Sequence, residues 1–301
     1  MKKGAYEREA SRFRSWVTRD GGPGPSGDGG FPAEPGRYHL YVSLACPWAH
    51  RTLIVRRLKR LEDIISHSVV HWYMGDEGWT FADGTCVIPD PNLGARTLRD
   101  VYRAADPAYS GKVTVPVLWD TQRATIVNNE SAEILRMFNS AFDDVGAAPG
   151  DYSPEHLRAE IDAVNDRVYR TLNNGVYRCG FAKTQEAYDD AVLPLFETLD
   201  WLEQRLSDRS YLVGDALTEA DIRLFTTLIR FDSVYHGHFK CNLRRIVDYP
   251  ALWRFTRSIY ALPLIADTVN FEHIKNHYYQ SHRGINPTGI VPAGPVLDLS
   301  L

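Results

Sequence analysis

The residue best suited to covalent chemistry is Cys46, which stands directly before Pro47. Proline is favoured at the first position of a helix because the amide hydrogen that it lacks would have no partner there, so Cys46 is predicted to be the N-cap. Backbone amides at a helix start favour the thiolate over the thiol, and Arg51 could add a positive charge. Such placement can bring the pKa of a cysteine from about 8.5 to roughly 3.5–7.5. We therefore predict a reactive thiol, against the alternative of a small buried apolar residue.

Predicted elements on both sides of Cys46 would hold the thiol in place. Residues 38–43 are predicted to form a buried strand, and residues 47–61 an amphipathic helix with apolar side chains at helical spacing. The pattern further predicts strands at 64–73, 113–120 and 124–127, and helices at 98–104 and 132–142. Pro116 cannot donate to a sheet ladder, so we expect it at a strand start, at an edge or in a cis peptide. The order of elements is βαβ followed by ββα.

After residue 150 the pattern becomes helical. Apolar residues three and four apart over 184–206 predict a long helix, and Leu217-Thr218 with Asp221 predicts a capped helix start. Four segments are expected: an N-terminal arm and loop (1–36), an α/β domain (37–146), an all-α domain (151–280) and an irregular tail (281–301). Within the arm, the glycines and prolines of residues 21–36 are expected to exclude both helix and strand.

The composition narrows the class of protein. The chain has 301 residues, 44% of them apolar, and a formal net charge of -4, which offers no general attraction for nucleic acid or for an anionic membrane. Its four cysteines are far apart in sequence, so neither a disulfide scaffold nor a zinc ribbon is indicated. Charged residues recur from Lys2 to Arg14, so we expect no secretory segment, and no apolar run reaches the roughly 20 residues that a membrane span needs. We expect a soluble cytoplasmic protein with reduced thiols.

Histidines raise the alternative of a metal site. His236 and His238 precede Cys241, while His273 and His277 are four residues apart on a predicted helix. No glutamate completes a His-Glu-x-x-His motif, so a metal ion is not favoured. The glycine-rich residues 21–30 also lack the Lys-Ser/Thr pair of a phosphate-binding loop, which excludes that kind of nucleotide site.

Several segments resemble one known family. Residues 43–51 (SLACPWAHR), the Val115-Pro116 pair, residues 129–131 (NES) and residues 217–222 (LTEADI) resemble the cytosolic glutathione transferases. A narrower resemblance, to the Xi class or glutathionyl-hydroquinone reductases, is carried by residues 46–51, 72–81, 173–177, 226–241, 270–279 and 285–289. The resemblance implies an α/β plus all-α fold, with a thioredoxin-like N-terminal domain and a helical glutathione-transferase C-terminal domain.

The resemblance also implies a role for individual residues. Cys46 would be the nucleophile, and Ala49 stands where a thioredoxin-type dithiol motif has its second cysteine. An external thiol must then resolve the mixed disulfide. By the same resemblance, glutathione would be held by Trp79, Lys112, Val115, Glu130 and Ser131. Glutamate and serine are also ordinary residues at a helix start. Lys112 stands where the resemblance leads us to expect an arginine, and its ammonium is a point charge in place of a two-pronged guanidinium.

Three tyrosines of the helical part, Tyr177, Tyr235 and Tyr278, stand at places that match the class. When a thiolate attacks the sulfur, the aryl carbon–sulfur bond breaks readily only if the ring has taken up a proton and become ketone-like. Tyrosine hydroxyls that hydrogen bond the oxygens of the ring can assist that change. The resemblance therefore implies that these tyrosines are catalytic, against the alternative that any one of them is a packing residue.

The implied function is glutathione-dependent reduction of glutathionyl-hydroquinones through a Cys46–glutathione mixed disulfide, with glutathione as co-substrate and no metal. One alternative is a different thiol transferase of the same fold, acting on dehydroascorbate or on protein mixed disulfides. The other is a transferase-like binding module without turnover. The resemblance also implies a homodimer, for which the tail after Ser281 is a candidate interface.

Overall fold

A computed structural model describes residues 4–25 and 29–301, and these divide into two compact units. The unit that we call the α/β unit comprises Ala10–Asp151 and Asp267–His277. The other, the helical unit, comprises Tyr152–Ala266, Tyr278–Leu301 and the described residues up to Glu9. Both units are discontinuous in sequence, whereas the domain boundaries given above are linear and stay predictions.

The α/β unit is built around a four-stranded sheet with helices. Its elements in chain order are β1 (Trp16–Thr18), β2 (Gly30–Pro32), β3 (Tyr38–Val42), α1 (Pro47–Leu58), β4 (Ile65–Val69), α2 (Leu98–Ala105), β5 (Val117–Asp120), β6 (Thr125–Asn128) and α3 (Ser131–Ser140). In the sheet the order is β4-β3-β5-β6, with β3 parallel to β4 and antiparallel to β5, and with β6 antiparallel to β5. The predicted order of βαβ followed by ββα is confirmed.

The central strand β3 is buried along its whole length, which fits a strand covered on both faces. Its register pairs Tyr38 with Ile65 on one side and Tyr41 with Val117 on the other. The neighbouring strand β4 is shorter than predicted. Beyond it the chain turns away, because the amide of His71 donates to the carbonyl oxygen of Thr80 (2.8 Å) instead of continuing the ladder.

The N-terminal arm contains strands, so the prediction that residues 21–36 exclude them is wrong. Strand β2 pairs in parallel with β1, and the amide of Ala33 donates to the carbonyl oxygen of Thr18 (2.9 Å). A side chain at Gly30 would collide with the carbonyl of Gly22. The glycine therefore permits a close approach of two chain segments and does not break the strand. Residues 1–3 and 26–28 of the predicted arm lie outside the described residues.

The helical unit consists of packed helices with two wide turns. Its elements are α4 (Arg158–Val168), a π turn (Tyr169–Asn173), α5 (Gly175–Gly180), α6 (Gln185–Arg205), α7 (Glu219–Arg230), a second π turn (Phe231–Tyr235) and α8 (Pro250–Tyr260). Helix α9 (Phe271–Ser281) is shared, with the change of unit after His277. Short 3₁₀ turns lie at Glu155–Leu157 and Ile246–Asp248 in this unit, at Asp143–Val145 in the α/β unit, and at Ala266–Thr268, where the unit changes. In the described residues, no helix combines the length and the apolar character needed to cross a membrane.

The start of α7 has the predicted capping box. The carboxylate of Asp221 accepts from the Thr218 amide (2.8 Å) and hydroxyl (2.9 Å), and also from the Leu212 amide (2.7 Å). Burial nevertheless raises the pKa of Asp221 to about 6, because three backbone and hydroxyl donors offset only part of the cost of removing the charge from water.

Two histidines, the buried His39 and the half-buried His67, give the α/β unit a defined response to pH. His39 lies in β3 with its ring nitrogens 2.7 Å from Ser66 Oγ and 2.8 Å from Ser68 Oγ. Burial lowers the pKa of His39, and likewise of His67, from 6.5 to about 4. Between these values the unfolded chain binds more protons than the folded one, so stability falls as pH falls. Asp221 and Asp232, whose pKa values burial raises, work in the opposite direction, whereas the pKa of His71, which burial lowers, adds to the effect of the two histidines.

We therefore expect the urea midpoint of unfolding to fall steadily as pH is lowered from 6.5 to 5. Equilibrium unfolding followed by circular dichroism at several pH values measures this directly. The variant His39→Asn cannot take up a proton at this position, so its midpoint should depend less on pH. A midpoint that stays constant or rises on acidification would contradict the assignment of the two histidines as neutral in the folded state.

Candidate active site

The structure confirms Cys46 as the N-cap of α1, with Pro47 at the first helical position. Its backbone is extended (φ -77°, ψ 122°), its amide donates to the carbonyl oxygen of Ser43 (3.1 Å), and its carbonyl oxygen accepts from the amide of His50 (3.0 Å). The side chain is half-buried and makes no capping bond. The sulfur therefore stands where the first amides of α1 and the positive end of the helix favour an anion.

Cys86 provides a matched control for the reactivity of Cys46, because it is more exposed and lies outside a helix. We expect iodoacetamide at neutral pH to label Cys46 at least about tenfold faster than Cys86, despite the lower exposure. Peptide mapping of a labelling time course gives both rates. Cys179 and Cys241 are buried and should react last, since burial also raises the pKa of the Cys241 thiol. Faster labelling of Cys86 would show that the helix start does not activate Cys46.

The segment before β5 lies beside this thiol. The Val115-Pro116 peptide bond is cis, as the sequence allowed, and Cys46 Sγ lies 3.6 Å from the carbonyl oxygen of Val115. The ladder between β3 and β5 begins only at Val117, so Val115 lies outside it. The main chain at the sulfur is therefore a short stretch that is not part of the sheet.

The start of α3 brings Glu130 and Ser131 together. Glu130 is the N-cap of α3, and its Oε1 accepts from the amide of Ala132 (3.3 Å) and from the hydroxyl of Ser131 (3.5 Å). Arg51 is almost fully buried in α1 and donates from Nη1 to Ser131 Oγ (3.5 Å). The same side chains thus close the helix start and connect it with the helix that carries Cys46. The Glu130 carboxylate thus lies at the first amides of α3.

The N-terminal arm adds residues here that the sequence did not indicate. Ser11 Oγ donates to Glu130 Oε2 (3.1 Å), and Arg14 Nε donates to Glu133 Oε2 (2.7 Å). The main chain of Phe13 pairs with Asn129, which accepts through Oδ1 (3.2 Å) and donates through its amide (3.1 Å). These partners are more than one hundred residues apart in sequence, and no local pattern points to them.

Two further candidates have different surroundings. Trp79 is buried in the α/β unit and stacks on His277 with ring centroids 4.8 Å apart. Lys112 is exposed, and its carbonyl oxygen accepts from the hydroxyl of Tyr109 (2.7 Å). The Tyr109 hydroxyl thus holds the main chain at Lys112, in the segment before β5.

The helical unit brings the three predicted tyrosines into one cluster. Tyr278 is central: its hydroxyl lies 2.6 Å from that of Tyr177 and 3.1 Å from that of Tyr235. Tyr235 and Tyr278 are buried, whereas Tyr177 is half-buried. Burial is the main cause that raises the pKa of Tyr278 well above its usual range, and the neighbouring Tyr177 adds to it. The cluster is therefore a chain of three linked hydroxyls, and the one at its centre, that of Tyr278, is held protonated.

The second π turn determines where Tyr235 lies in this cluster. In that turn the amide of His236 donates to the carbonyl oxygen of Phe231 (2.8 Å), which is the spacing of a π helix. Phe239 follows and stacks on Tyr235 with ring centroids 5.6 Å apart and planes 14° apart. Sequence patterns do not reveal such wide turns. A π turn adds one residue to the helix, and the spacing of apolar residues before the turn and after it stays that of an ordinary helix.

The histidines have partners other than a metal. In the α/β unit, His273 Nε2 lies 2.6 Å from the carbonyl oxygen of Thr85, and His277 Nδ1 lies 2.8 Å from that of Trp72. In the helical unit, His238 Nε2 lies 3.2 Å from His282 Nδ1. Within the part of the chain that the structure describes, no group of three His, Cys, Asp or Glu side chains could hold a metal ion.

Comparison with known proteins identifies the family. The model of the glutathione S-transferase N-terminal domain matches residues 45–141, and that of the C-terminal domain matches residues 185–258. The chain is 59% identical over 296 residues to the glutathionyl-hydroquinone reductase PcpF of Sphingobium chlorophenolicum, covering 98% of this chain and 91% of that protein. It is also 59% identical over 297 residues to the glutathionyl-hydroquinone reductase YqjG of Escherichia coli, covering 98% and 90%.

Solved structures agree with the sequence relatives. The glutathione-bound structure of YqjG superposes with a TM-score of 0.94 at 59% identity, covering 96% of this chain and 94% of that one. The glutathione transferase Xi of Phanerochaete chrysosporium superposes with a TM-score of 0.92 at 53% identity, covering 98% and 99%. The thioredoxin-like and helical parts of the fold are thereby confirmed. The chain therefore belongs to the glutathione transferase family and, within it, to the Xi class of glutathionyl-hydroquinone reductases.

Proposed function

We propose that the protein is an enzyme that reduces S-glutathionyl-hydroquinones to free hydroquinones, with a second glutathione as the reductant. The observation that carries this proposal is the half-buried Cys46 at the start of α1, with its sulfur 3.6 Å from the carbonyl oxygen of Val115. The identity of 59% to two proteins named as glutathionyl-hydroquinone reductases, over nearly the whole chain, supports the choice of substrate.

In the first half of the reaction, the Cys46 thiolate attacks the sulfur of the bound glutathionyl-hydroquinone. A sulfur–sulfur bond forms, and the bond between that sulfur and the aromatic carbon breaks. The electron pair leaves with the ring carbon, which takes up a proton, so the departing product is the free hydroquinone. The enzyme is left as a mixed disulfide between Cys46 and glutathione.

In the second half, the thiolate of another glutathione attacks the glutathione sulfur of the mixed disulfide. Oxidised glutathione leaves, and the Cys46 thiolate is restored. Ala49 lies one turn into α1 and carries no thiol, so the protein has no second cysteine at this place to resolve the intermediate. One conjugate and one glutathione thus give one hydroquinone and one oxidised glutathione.

The glutathione moiety is proposed to bind around the thiol in an extended form. Val115 would pair with the tripeptide through its main chain, like an added strand, because it lies beside the sulfur and outside the ladder. Glu130 and Ser131 at the start of α3 would hold the γ-glutamyl end. Trp79 would cover the tripeptide, and Lys112 would attract a carboxylate as a point charge.

The tyrosine cluster is proposed to act on the aromatic ring. Tyr177, Tyr235 and Tyr278 would hydrogen bond the oxygens of the hydroquinone and supply the proton that the ring needs for a ketone-like form. Their linked hydroxyls support this role, because a proton given up by one member can be replaced along the chain. The raised pKa of Tyr278 keeps that hydroxyl protonated at neutral pH.

A synthetic S-glutathionyl-hydroquinone tests the function. We expect release of the free hydroquinone, followed by chromatography, only when glutathione is added, and in a one-to-one ratio with oxidised glutathione. Turnover of dehydroascorbate or of a protein mixed disulfide without release of hydroquinone would instead identify a different thiol transferase. Absence of all turnover, together with no gain of glutathione at Cys46, would identify a binding module.

We further propose that the enzyme is a cytoplasmic homodimer. None of its four cysteines forms a disulfide within the described chain, which suits a reducing compartment. The tail after Ser281 exposes the apolar side chains of Ile290, Val296 and Leu301 (70%, 98% and 78% exposed), which suits a surface covered by a second subunit. Light scattering coupled to size-exclusion chromatography measures the mass of the particle.

A further inference from the structure

Helix α9 holds the segment that carries Trp79 at two points. His277 donates from Nδ1 to the carbonyl oxygen of Trp72 (2.8 Å), and His273 donates from Nε2 to the carbonyl oxygen of Thr85 (2.6 Å). A carbonyl oxygen can only accept, so each of these ring nitrogens must carry a hydrogen. The two histidines are one turn apart and therefore lie on the same face of the helix.

His277 also contacts Trp79 directly, through its ring face. The two rings stack with centroids 4.8 Å apart and planes 25° apart, and both residues are 6% exposed. The main chain of Trp79 is fixed separately, since its carbonyl oxygen accepts from the amide of Leu98 (2.9 Å) at the start of α2. The imidazole is thus held at its edge by a carbonyl oxygen and presents a flat, oriented surface to the indole.

We propose that His277 is a positioning residue that fixes the Trp79 indole for glutathione binding. The inference rests on the role proposed above for Trp79. With the main chain of Trp79 held at Leu98, the remaining freedom of the residue is rotation of its side chain. Stacking on a ring that is itself hydrogen-bonded removes that freedom before glutathione arrives, so glutathione need not order the indole.

His273 is the matched control. It is buried, lies on the same helix and makes the same kind of bond to a carbonyl oxygen of the same segment, but it reaches that segment at Thr85, beyond Trp79. A purely structural role would make the two histidines equivalent. A positioning role predicts that they affect folding alike and affect glutathione differently.

Calorimetric titration with glutathione in the Cys46→Ser background tests the inference without turnover. His277→Ala should raise the dissociation constant about tenfold, whereas His273→Ala should change it less than about twofold. His277→Phe restores a ring against Trp79 and should bind within about threefold of the parent. In the enzyme with Cys46 intact, His277→Ala should raise KM for glutathione with little change in kcat.

The outcomes separate the inference from the proposed function. Equal binding by His277→Ala and the parent, or equal weakening by His277→Ala and His273→Ala, overturns the positioning role. If His277→Ala does not fold, His277→Asn keeps a donor for the Trp72 carbonyl but lacks the ring, and unchanged binding by that variant overturns it equally. Absence of hydroquinone release by the parent would instead refute the function, while the binding comparison still holds.

Discussion

Cys46→Ser should lose at least about a thousandfold in glutathionyl-hydroquinone reduction while it still binds glutathione. The reaction depends on a sulfur anion that can form and then release a disulfide. A serine hydroxyl at the same helix start stays protonated at neutral pH and forms no disulfide. The groups proposed to hold glutathione, on Val115, Glu130 and Ser131, are unchanged in the variant. Release of hydroquinone under saturating substrate measures the loss.

Intact-mass measurement gives an independent readout for the same variant. Exposure to oxidised glutathione should add one glutathione to the parent protein and none to Cys46→Ser. Cys86→Ser removes a more exposed thiol and should behave like the parent in mass and in turnover. If Cys46→Ser kept reductase activity, or if the parent gained its glutathione at Cys86, the nucleophile would be wrongly assigned.

Tyr278→Phe should reduce turnover of the aryl conjugate by about a hundredfold, which is the usual lower range for loss of a positioned proton donor. Its hydroxyl is the one that contacts both others, at 2.6 Å from Tyr177 and 3.1 Å from Tyr235. Removing it therefore breaks the chain at its centre, and Tyr235→Phe, at one end, should have a smaller effect. Steady-state rates with the synthetic conjugate measure both.

The neighbouring Tyr279 serves as the control for this prediction. It lies on the same helix, and its hydroxyl donates to the carbonyl oxygen of Ser233 (3.3 Å), outside the tyrosine cluster. Tyr279→Phe should keep nearly full activity. A simple glutathione mixed disulfide has no aryl carbon to protonate, so the Tyr278→Phe enzyme should cleave this substrate at the same rate as the parent. Equal losses with both substrates would mean that the tyrosines support the fold or the thiol and do not act on the ring.

The parts of the molecule that the sequence predicted are those encoded over a few neighbouring residues. Cys46 and Pro47 define the start of α1, and Thr218 and Asp221 define the start of α7, because a cap and its partner lie within one turn. Pro116 restricts its own peptide bond, so a cis peptide was among the expected alternatives, whereas the strand predicted to begin at residue 113 begins only at Val117. In each case a side chain determines the conformation or the hydrogen bonds of the main chain within a few residues of it.

What the sequence did not predict depends on partners far apart in the chain. Strands β1 and β2 form because glycines allow close approach of the arm to itself, and the same residues had suggested the opposite. The stacking of Trp79 on His277 joins two segments nearly two hundred residues apart. Family resemblance pointed to the tyrosines, but the contact of Tyr177 with Tyr278 spans 101 residues and has no local signature.

The wide turn at Phe231–Tyr235 makes the length of the chain, as well as its side chains, a determinant of the cluster. Excision of one residue there would let the helix close with its ordinary pitch and would rotate everything that follows by about 100°. A different side chain would then face Tyr278. Point substitutions at Tyr235 adjust the strength of that contact, whereas a single codon gained or lost replaces the contact altogether.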